Sequence, residues 1–367
     1  MLKVSLRQPL GGFTLDLSFE APAGVTVLFG GSGSGKTTVI NAVAGLMRPE
    51  SGRVALSDRV LFDLKQGIWQ PPHRRRLGYI FQEARLFPHL TVRQNLLFGR
   101  WFAPRGAARE DLDRIVAMLG IGALMQRYPV ALSGGEKQRV AIGRALLSSP
   151  DLILADEPLA ALDEARKQEI LPYFERLRDE VKIPMLYVSH SATEVARLAT
   201  SVVVLKDGRV QRQGSAAEVL GDDQVMPTGV RAAGALLEAR LLRHHPDGLS
   251  ELDAGGVSLF LPKVQQAPGS LLRVRILAQD VILSRHRPEG LSALNILPAE
   301  VEQIRSGSGP GAMVSLKTNA GRVLARITRR SAQALELSPG TPCYAVIKSV
   351  AIARSDVGGT APAEGPS

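Results

Sequence analysis

Residues 25–46, VTVLFGGSGSGKTTVINAVAGL, decide the fold of the first half of the chain. A short apolar strand enters a glycine-rich loop, which is followed by a predicted helix that stops near Gly45. The loop fits the pattern G-x-x-x-x-G-K-[ST], in which backbone N–H groups converge on phosphates. Lys36 is expected to reach the β- and γ-phosphates, and the Thr37 hydroxyl to ligate Mg²⁺. The predicted ATP-binding residues of this loop are Gly30, Gly31, Ser32, Gly33, Ser34, Gly35, Lys36, Thr37 and Thr38.

A second apolar strand ends in two carboxylates, in the segment LILADE at residues 152–157. An apolar strand of a covered sheet that ends in an acid would place Asp156 beside the nucleotide. Asp156 is then predicted to hold Mg²⁺, directly or through water, and Glu157 to polarise the attacking water as a base. The two motifs together predict ATP hydrolysis with Mg²⁺.

The order of predicted strands and helices along the rest of the chain indicates two domains of different architecture. Up to about residue 230, apolar strands at 185–188 and 202–205 alternate with helices predicted at 111–128 and 135–148, which indicates a mostly parallel, covered sheet. A helical stretch is predicted at 232–242, and short β-rich runs separated by Gly and Pro follow it, which is typical of a small all-β barrel. The predicted divisions are 1–230 (nucleotide-binding domain), 231–290 (linker and start of the β domain), 291–355 (β domain) and 356–367 (disordered tail).

Composition narrows the class of partner. The 367 residues carry a formal net charge of +10, and 5% of them are aromatic. A basic balance favours an anionic partner, but no basic block is interleaved with aromatics, so nucleic acid is not expected as a partner. Cys343 is the single cysteine, which fits a reducing compartment. The N-terminus lacks the apolar core of a signal peptide, and no apolar run is long enough to span a bilayer, so another chain is expected to hold the protein at any membrane.

The segment LSGGE at 132–136, continued by KQRV, resembles the signature sequence of ABC-transporter ATPases. The resemblance covers residues 1 to about 230 and implies an α/β P-loop NTPase (ABC ATPase) fold with a helical subdomain, followed here by a small C-terminal all-β, OB-like barrel domain. It also implies a head-to-tail homodimer in which the signature of one protomer closes over the γ-phosphate held by the other. The predicted signature residues are Ser133, Gly134, Gly135 and Glu136.

Other positions acquire roles through the same resemblance. Gln82 matches the glutamine that senses Mg²⁺ and water, and His190 matches the histidine that contacts the γ-phosphate. Asp163 lies in the loop that crosses the dimer interface, where Ala160 replaces a frequent serine. Phe13 is expected either to stack on adenine or to pack in the core. Residues 83–99 occupy the region that docks an integral-membrane permease in relatives.

Two further resemblances predict that the transported substrate is the oxyanion molybdate. Residues 81–88 and 187–191 look like those of molybdate-importer ATPases, and residues 292–354 resemble the oxyanion-binding β module of molybdate proteins. The candidate oxyanion residues are Ser292, Ser331 and Lys348. Leu294 replaces an arginine often found in that module, and the module is single, so the domain could instead serve dimerisation or regulation without a ligand.

The expected assembly is therefore a peripheral importer subunit on the cytoplasmic face of the inner membrane, bound to permease subunits and indirectly served by a periplasmic oxyanion-binding protein. Sulfate, tungstate, ferric iron and polyamine importers share this type of cassette and remain alternatives for the substrate. A soluble, non-transport ABC ATPase and an oxyanion sensor that only binds ATP are alternatives for the function. The absence of an internal repeat disfavours the soluble ATPase, and Glu157 disfavours the sensor.

Overall fold

A computed structural model describes residues 1–102, 111–181, 183–227, 229, 232–306 and 309–360. The chain forms two compact units, one of Met1–Ser191 with Leu198–Gly214 and one of Ala192–Arg197 with the residues from Ser215 onward. None of the helices in the described ranges is long and apolar enough to cross a membrane.

The first unit contains two sheets. Its strands are β1 (Leu2–Leu10), β2 (Phe13–Ala21), β3 (Val25–Gly30), β4 (Ser51–Leu56), β5 (Arg59–Asp63), β6 (Ile68–Trp69), β7 (Leu77–Ile80), β8 (Leu152–Asp156), β9 (Met185–Ser189), β10 (Ser201–Lys206) and β11 (Arg209–Gly214). One sheet has the order β2-β1-β4-β5-β6 and is antiparallel. The other has the order β11-β10-β3-β9-β8-β7 and is parallel except for the β10–β11 hairpin. The carboxyl ends of the parallel strands therefore meet at one edge, where ligands bind in open α/β sheets.

The helices of the described chain are α1 (Lys36–Ala44), α2 (Val92–Phe98), α3 (Leu112–Leu119), α4 (Gly134–Leu147), α5 (Glu164–Glu180), α6 (Ala192–Leu198), α7 (Ala216–Leu220) and α8 (Arg329–Ala334). Helix α1 packs against β3, β8 and β9, while α2 and α3 pack against α4. Gly45 ends α1 in the left-handed conformation (φ 78°), as expected for a glycine that terminates a helix. The predicted parallel sheet with a helical subdomain is confirmed.

The second unit is built mainly of two antiparallel sheets. Its strands are β12 (Gly234–His244), β13 (Leu249–Ala254), β14 (Val257–Pro262), β15 (Leu271–Leu277), β16 (Val281–Ser284), β17 (Asn295–Ser306), β18 (Gly311–Thr318), β19 (Gly321–Thr328), β20 (Pro342–Ile347) and β21 (Val357–Thr360). The sheet orders are β14-β13-β12-β15-β21 and β16-β20-β17-β18-β19. Both sheets contribute to one apolar core, as in the predicted all-β domain.

The predicted helix at 232–242 is wrong, because these residues form the long strand β12. Ala235, Leu237, Ala239 and Leu241 are buried in alternation with more exposed residues, which is the period of a strand. Ala, Leu, Glu and Arg all favour helices, but pairing with β13 and β15 on both sides overrides that local preference.

Three predicted boundaries differ from the structure. The second compact unit includes Ala192–Arg197 and the segment that starts at Ser215, so it takes in residues before 231. Helix α7 belongs to this unit and packs against β12. Residue 356, where the predicted disordered tail starts, is the last residue of the 3₁₀ turn Arg354–Asp356, and strand β21, which pairs with β15, follows it. Residues 361–367 lie outside the described residues. The helix predicted at 111–128 ends at Leu119, because Gly120 adopts a left-handed cap.

Glu251 on β13 joins several side chains of the second unit. Its carboxylate accepts hydrogen bonds from Arg243 Nε (2.7 Å) and Ser258 Oγ (3.0 Å). His245 Nε2 lies 3.0 Å from the same carboxylate. These bonds, that of Arg243 foremost, lower the pKa of Glu251 from its ordinary value of 4.5 to about 2. The ionised carboxylate is therefore the form that folding favours.

We expect Glu251→Gln to lower the midpoint of thermal unfolding at pH 7. Folding lowers the pKa of this carboxyl, so its ionised form stabilises the folded protein at any pH above the pKa that it has in the unfolded chain. This stabilisation is lost as the pH falls through the pKa that the carboxyl has in the folded protein. The difference between variant and wild type should therefore shrink as the pH falls from about 4.5 towards about 2. Calorimetry across this pH range measures the difference in unfolding midpoint, with the exposed Glu300→Gln as the control. A difference that stays constant with pH would show that ionised Glu251 does not stabilise the fold.

Candidate functional site

The glycine-rich loop lies between β3, which is buried throughout, and the first residue of α1. The ammonium of Lys36 donates hydrogen bonds to the carbonyl oxygens of Gly30 (2.9 Å) and Gly31 (2.8 Å). Gly35 has a φ of 99°, and a Cβ there would lie 2.7 Å from Leu15 Cδ1. Only glycine therefore suits this position, for both its backbone angle and its space.

The environment of Lys36 favours an anionic ligand. Burial lowers the pKa of Lys36, and the charges of Glu157 and Asp156 partly oppose that shift. The Lys36 ammonium lies 3.8 Å from Glu157 Oε1, which is beyond close hydrogen-bond contact. Because a largely buried cation has lost hydration, a phosphate group that entered here would gain a strong charge-assisted contact.

Asp156 ends strand β8 at the carboxyl edge of the parallel sheet. Its Oδ1 atom lies 3.4 Å from Thr37 Oγ1, and its Oδ2 atom lies 3.4 Å from the hydroxyl oxygen of Tyr79. Burial, followed by the neighbouring charge of Glu157, raises the pKa of Asp156. Burial likewise raises the pKa of the Tyr79 phenol, with the charge of Asp156 as the next cause. A hydroxyl and a carboxylate oxygen side by side are hard donors of the kind that Mg²⁺ prefers, so these residues fit the metal.

Glu157 has a strained backbone. Its φ is 43°, a left-handed angle that is uncommon for a residue other than glycine and costs free energy. Hydrogen bonds from Glu157 N to Val188 O (3.2 Å) and from Ala160 N to Glu157 O (3.1 Å) hold this turn in place. The turn directs the carboxylate so that Oε2 lies 3.3 Å from His190 Nδ1, just beyond the end of β9. The arrangement can hold a carboxylate base beside an imidazole.

A cavity of about 440 Å³ brings most of the predicted ATP site together. Its lining includes these predicted residues: Phe13, Ser32, Gly33, Gly35, Lys36, Thr37, Thr38, Gln82, Asp156 and Glu157. Gly30, Gly31, Ser34 and His190 are not among the lining residues. The Ser34 side chain is buried and packs against Gly30, where a Cβ would lie 2.6 Å from Ser34 Oγ.

Sequence reasoning missed Leu10, which also lines the cavity. Leu10 and Phe13 pair across the tight turn between β1 and β2. Gly208 lies close enough to Phe13 that a Cβ there would be 2.6 Å from Phe13 Cδ2. The sequence does contain a signal for Leu10. Gly11 and Gly12 predict a tight turn, and such a turn would bring the flanking residues Leu10 and Phe13 side by side.

The signature segment lies at the start of α4 and outside this cavity. Glu136 N donates to Ser133 Oγ (3.2 Å), and Ser133 N donates to Glu136 Oε2 (2.7 Å), which forms a capping box. The hydrogen bond from Ser133 N is the main cause that lowers the pKa of Glu136. Asp163 caps α5 in a similar way, accepting from Arg166 N at 2.9 Å.

One cavity of the second unit holds one of the three candidate oxyanion residues. A cavity of about 700 Å³ in the second unit is lined by Ser331, but neither Ser292 nor Lys348 is among its described lining residues. The Ser331 hydroxyl lies 2.7 Å from Thr328 Oγ1 at the start of α8. Asn295 lies within residues 292–354, which are predicted to form the oxyanion module; it is fully buried and bonds to both Phe260 N and Phe260 O. Its amide therefore joins β14 to β17.

Comparisons with known proteins identify the family to which the chain is similar. Residues 14–160 match the family model described as ABC transporter, and residues 291–353 match the TOBE domain. The chain is 50% identical to a molybdenum import ATP-binding protein ModC of Mesorhizobium japonicum, over 99% of both chains. It is 52% identical to the protein of that name from Rhizobium etli, over 96% of this chain and 99% of the relative. The structure of cbiO1 from Clostridium perfringens, described as part of the ABC transporter complex cbiONQ, matches with a TM-score of 0.51 and 28% identity, over 61% of this chain and 92% of that one.

We expect Phe13→Ala to weaken nucleotide binding about tenfold, because stacking of a base on an aromatic ring contributes roughly 1–3 kcal/mol. Phe13→Tyr should keep the affinity, because it keeps the ring. Titration of both variants with a fluorescent ATP analogue measures the effect. If the affinity of Phe13→Ala equals that of wild type, Phe13 serves packing and not adenine.

Proposed function

The chain belongs to the ABC transporter family, among its molybdenum import ATP-binding proteins, and we infer that it is the ATP-hydrolysing subunit of a molybdate importer. Identity of about 50% along nearly the whole of this chain and its relatives carries this conclusion. It favours molybdate over sulfate, tungstate, ferric iron or polyamine as the substrate. The cavity that gathers Lys36, Asp156 and Glu157 supplies the chemistry of the ATPase.

The phosphates of ATP would occupy the loop that holds Lys36. The ammonium now bonded to the carbonyls of Gly30 and Gly31 would turn to the β- and γ-phosphates, since charge-assisted bonds are stronger than bonds to neutral carbonyls. Thr37, Gln82 and Asp156 would hold Mg²⁺, which supplies charge neutralisation on the phosphates when it is bound. The contact of 3.4 Å between Thr37 Oγ1 and Asp156 Oδ1 supports this assignment.

Glu157 would act as the base in hydrolysis. Its carboxylate lines the cavity close to Lys36, and its strained turn fixes the direction of the side chain. A carboxylate placed there can orient a water molecule and accept its proton as it attacks the γ-phosphate. His190, at 3.3 Å from Glu157, would contact the γ-phosphate and keep the carboxylate oriented.

A homodimer would complete each ATP site. The start of α4, with Ser133, Gly134 and Gly135, lies outside the cavity of its own chain, and a helix N-terminus with free N–H groups attracts anions. The signature would therefore close over the γ-phosphate of the partner protomer, with Asp163 near the interface. ATP binding would favour the closed dimer, and hydrolysis would release it.

The permease would dock on a groove of the helical subdomain. A depression of about 310 Å³ is lined in part by the aromatic residues Phe81, Phe87 and Phe98, and it overlaps the predicted docking segment 83–99. Arg144 bonds to the carbonyl oxygens of Ala84 (3.0 Å) and Arg85 (2.8 Å), which holds the groove wall. We propose that the subunit lies on the cytoplasmic face of the inner membrane. A periplasmic binding protein would deliver molybdate to the permease from the opposite face.

Glu157→Gln should reduce kcat for ATP hydrolysis at least about a hundredfold, since a general base contributes roughly 10²–10⁴-fold. ATP binding and ATP-induced dimerisation should persist, because the amide keeps the shape of the side chain. Single-turnover hydrolysis and light scattering with ATP measure the two effects, with Glu169→Gln, an exposed carboxylate on α5, as the control. Normal turnover by Glu157→Gln would show that another group is the base.

We propose that the TOBE domain serves dimerisation or regulation, with oxyanion binding through Lys348, Ser331 and Ser292 as the alternative. Calorimetric titration with molybdate, tungstate and sulfate distinguishes the two. Micromolar molybdate binding that Lys348→Ala abolishes would make the domain an oxyanion sensor. Absence of heat with all three oxyanions would leave it a dimerisation module and would not affect the ATPase assignment.

A further inference from the structure

Asp156 is held from two sides, and only one of these contacts belongs to the phosphate-binding loop. Thr37 approaches Oδ1 at 3.4 Å, while Tyr79, on the neighbouring strand β7, approaches Oδ2 at 3.4 Å. Strands β7 and β8 are parallel, with Tyr79 in register with Leu154, two residues before Asp156. The phenol and the loop threonine thus contact different oxygens of the carboxylate. The sequence motifs contain no signal for this contact.

The direction of the hydrogen bond follows from the chemistry of the groups. An ionised carboxylate can only accept, so Tyr79 is the donor in its contact with Asp156. The same hydroxyl also lies 3.3 Å from Asn41 Oδ1 on α1, which is a second acceptor. The single phenol proton therefore lies between two acceptors, Asp156 Oδ2 and Asn41 Oδ1. The phenol thus links the carboxylate at the end of β8 to helix α1.

The position of the Tyr79 hydroxyl is fixed by the packing of its ring. The ring stacks on Phe81 with centroids 4.1 Å apart and an interplanar angle of 22°. The guanidinium of Arg85 lies 4.4 Å from the centroid of Phe81. Rotation of the tyrosine side chain would break this stack, so the hydroxyl is preorganised beside Oδ2.

We propose that Tyr79 is a positioning residue for the metal-binding carboxylate: by holding Oδ2, its hydroxyl fixes the rotamer of Asp156 so that Oδ1, beside Thr37, is the oxygen presented to the metal. The proposal rests on the metal site assigned above to Thr37, Gln82 and Asp156. Groups that orient a ligating carboxylate typically change metal affinity about 10- to 100-fold when they are removed.

Tyr79→Phe tests the proposal because it keeps the ring stack and removes only the hydroxyl. Mn²⁺ would be titrated into the full-length protein with ADP, and free Mn²⁺ measured by electron paramagnetic resonance. We expect the Mn²⁺ affinity to fall about tenfold, and the ADP affinity in EDTA to stay unchanged. In steady-state assays the Mg²⁺ concentration for half-maximal ATPase activity should rise, while kcat at saturating Mg²⁺ recovers.

Two companion variants separate the possible outcomes. Tyr344→Phe removes a hydroxyl from a half-buried strand tyrosine in the second unit and should leave the Mn²⁺ affinity unchanged. Asp156→Asn should weaken Mn²⁺ binding at least as much as Tyr79→Phe. Unchanged affinity in Tyr79→Phe with weakened affinity in Asp156→Asn would overturn the positioning role alone. Unchanged affinity in both would overturn the metal site itself, and the positioning role with it.

Discussion

The hydrogen bonds from the buried Lys36 ammonium to the carbonyls of Gly30 and Gly31 are the interaction on which the site depends. Burial of this cation is unfavourable, as its lowered pKa indicates. Two elements fix the position of Lys36. Strand β3, inside the parallel sheet, ends at the carboxyl edge where the loop begins, and α1 starts at Lys36 itself. Phosphates provide the compensating charge that two neutral carbonyls supply only in part.

The second constraint on the site is the repulsion between the two carboxylates that lie close to this cation. Asp156 and Glu157 are adjacent in sequence, and their mutual repulsion adds to burial in raising the pKa of Asp156. The strained backbone of Glu157 turns the two side chains to different partners, Asp156 towards Thr37 and Tyr79, and Glu157 towards Lys36 and His190. This separation supports our proposal that Asp156 holds the metal and Glu157 orients the attacking water, two roles that ATP hydrolysis requires.

The sequence predicted those parts of the molecule in which local pattern and global fold agree. The loop from Gly30 to Thr37 and the strand that ends at Asp156 are local motifs, so both were found before the structure. Strand β12 was mistaken for a helix because its residue types favour helices, and only its two neighbouring strands decide otherwise. Tyr79 and Leu10 were missed because their contacts cross between strands, which no spacing along the chain reveals. The roles of the signature, of Gln82 and of the oxyanion residues remain predictions.

The central claim is that this chain converts ATP hydrolysis into movement of molybdate. Its most direct measurement is molybdenum accumulation in vesicles that contain the chain with its permease, with ATP sealed on the side of the chain and a molybdate-loaded binding protein on the other. We predict that molybdenum, measured by mass spectrometry, accumulates only with ATP, and that molybdate raises the rate of hydrolysis. Hydrolysis at one rate with or without molybdate, and accumulation of sulfate instead, would contradict the claim.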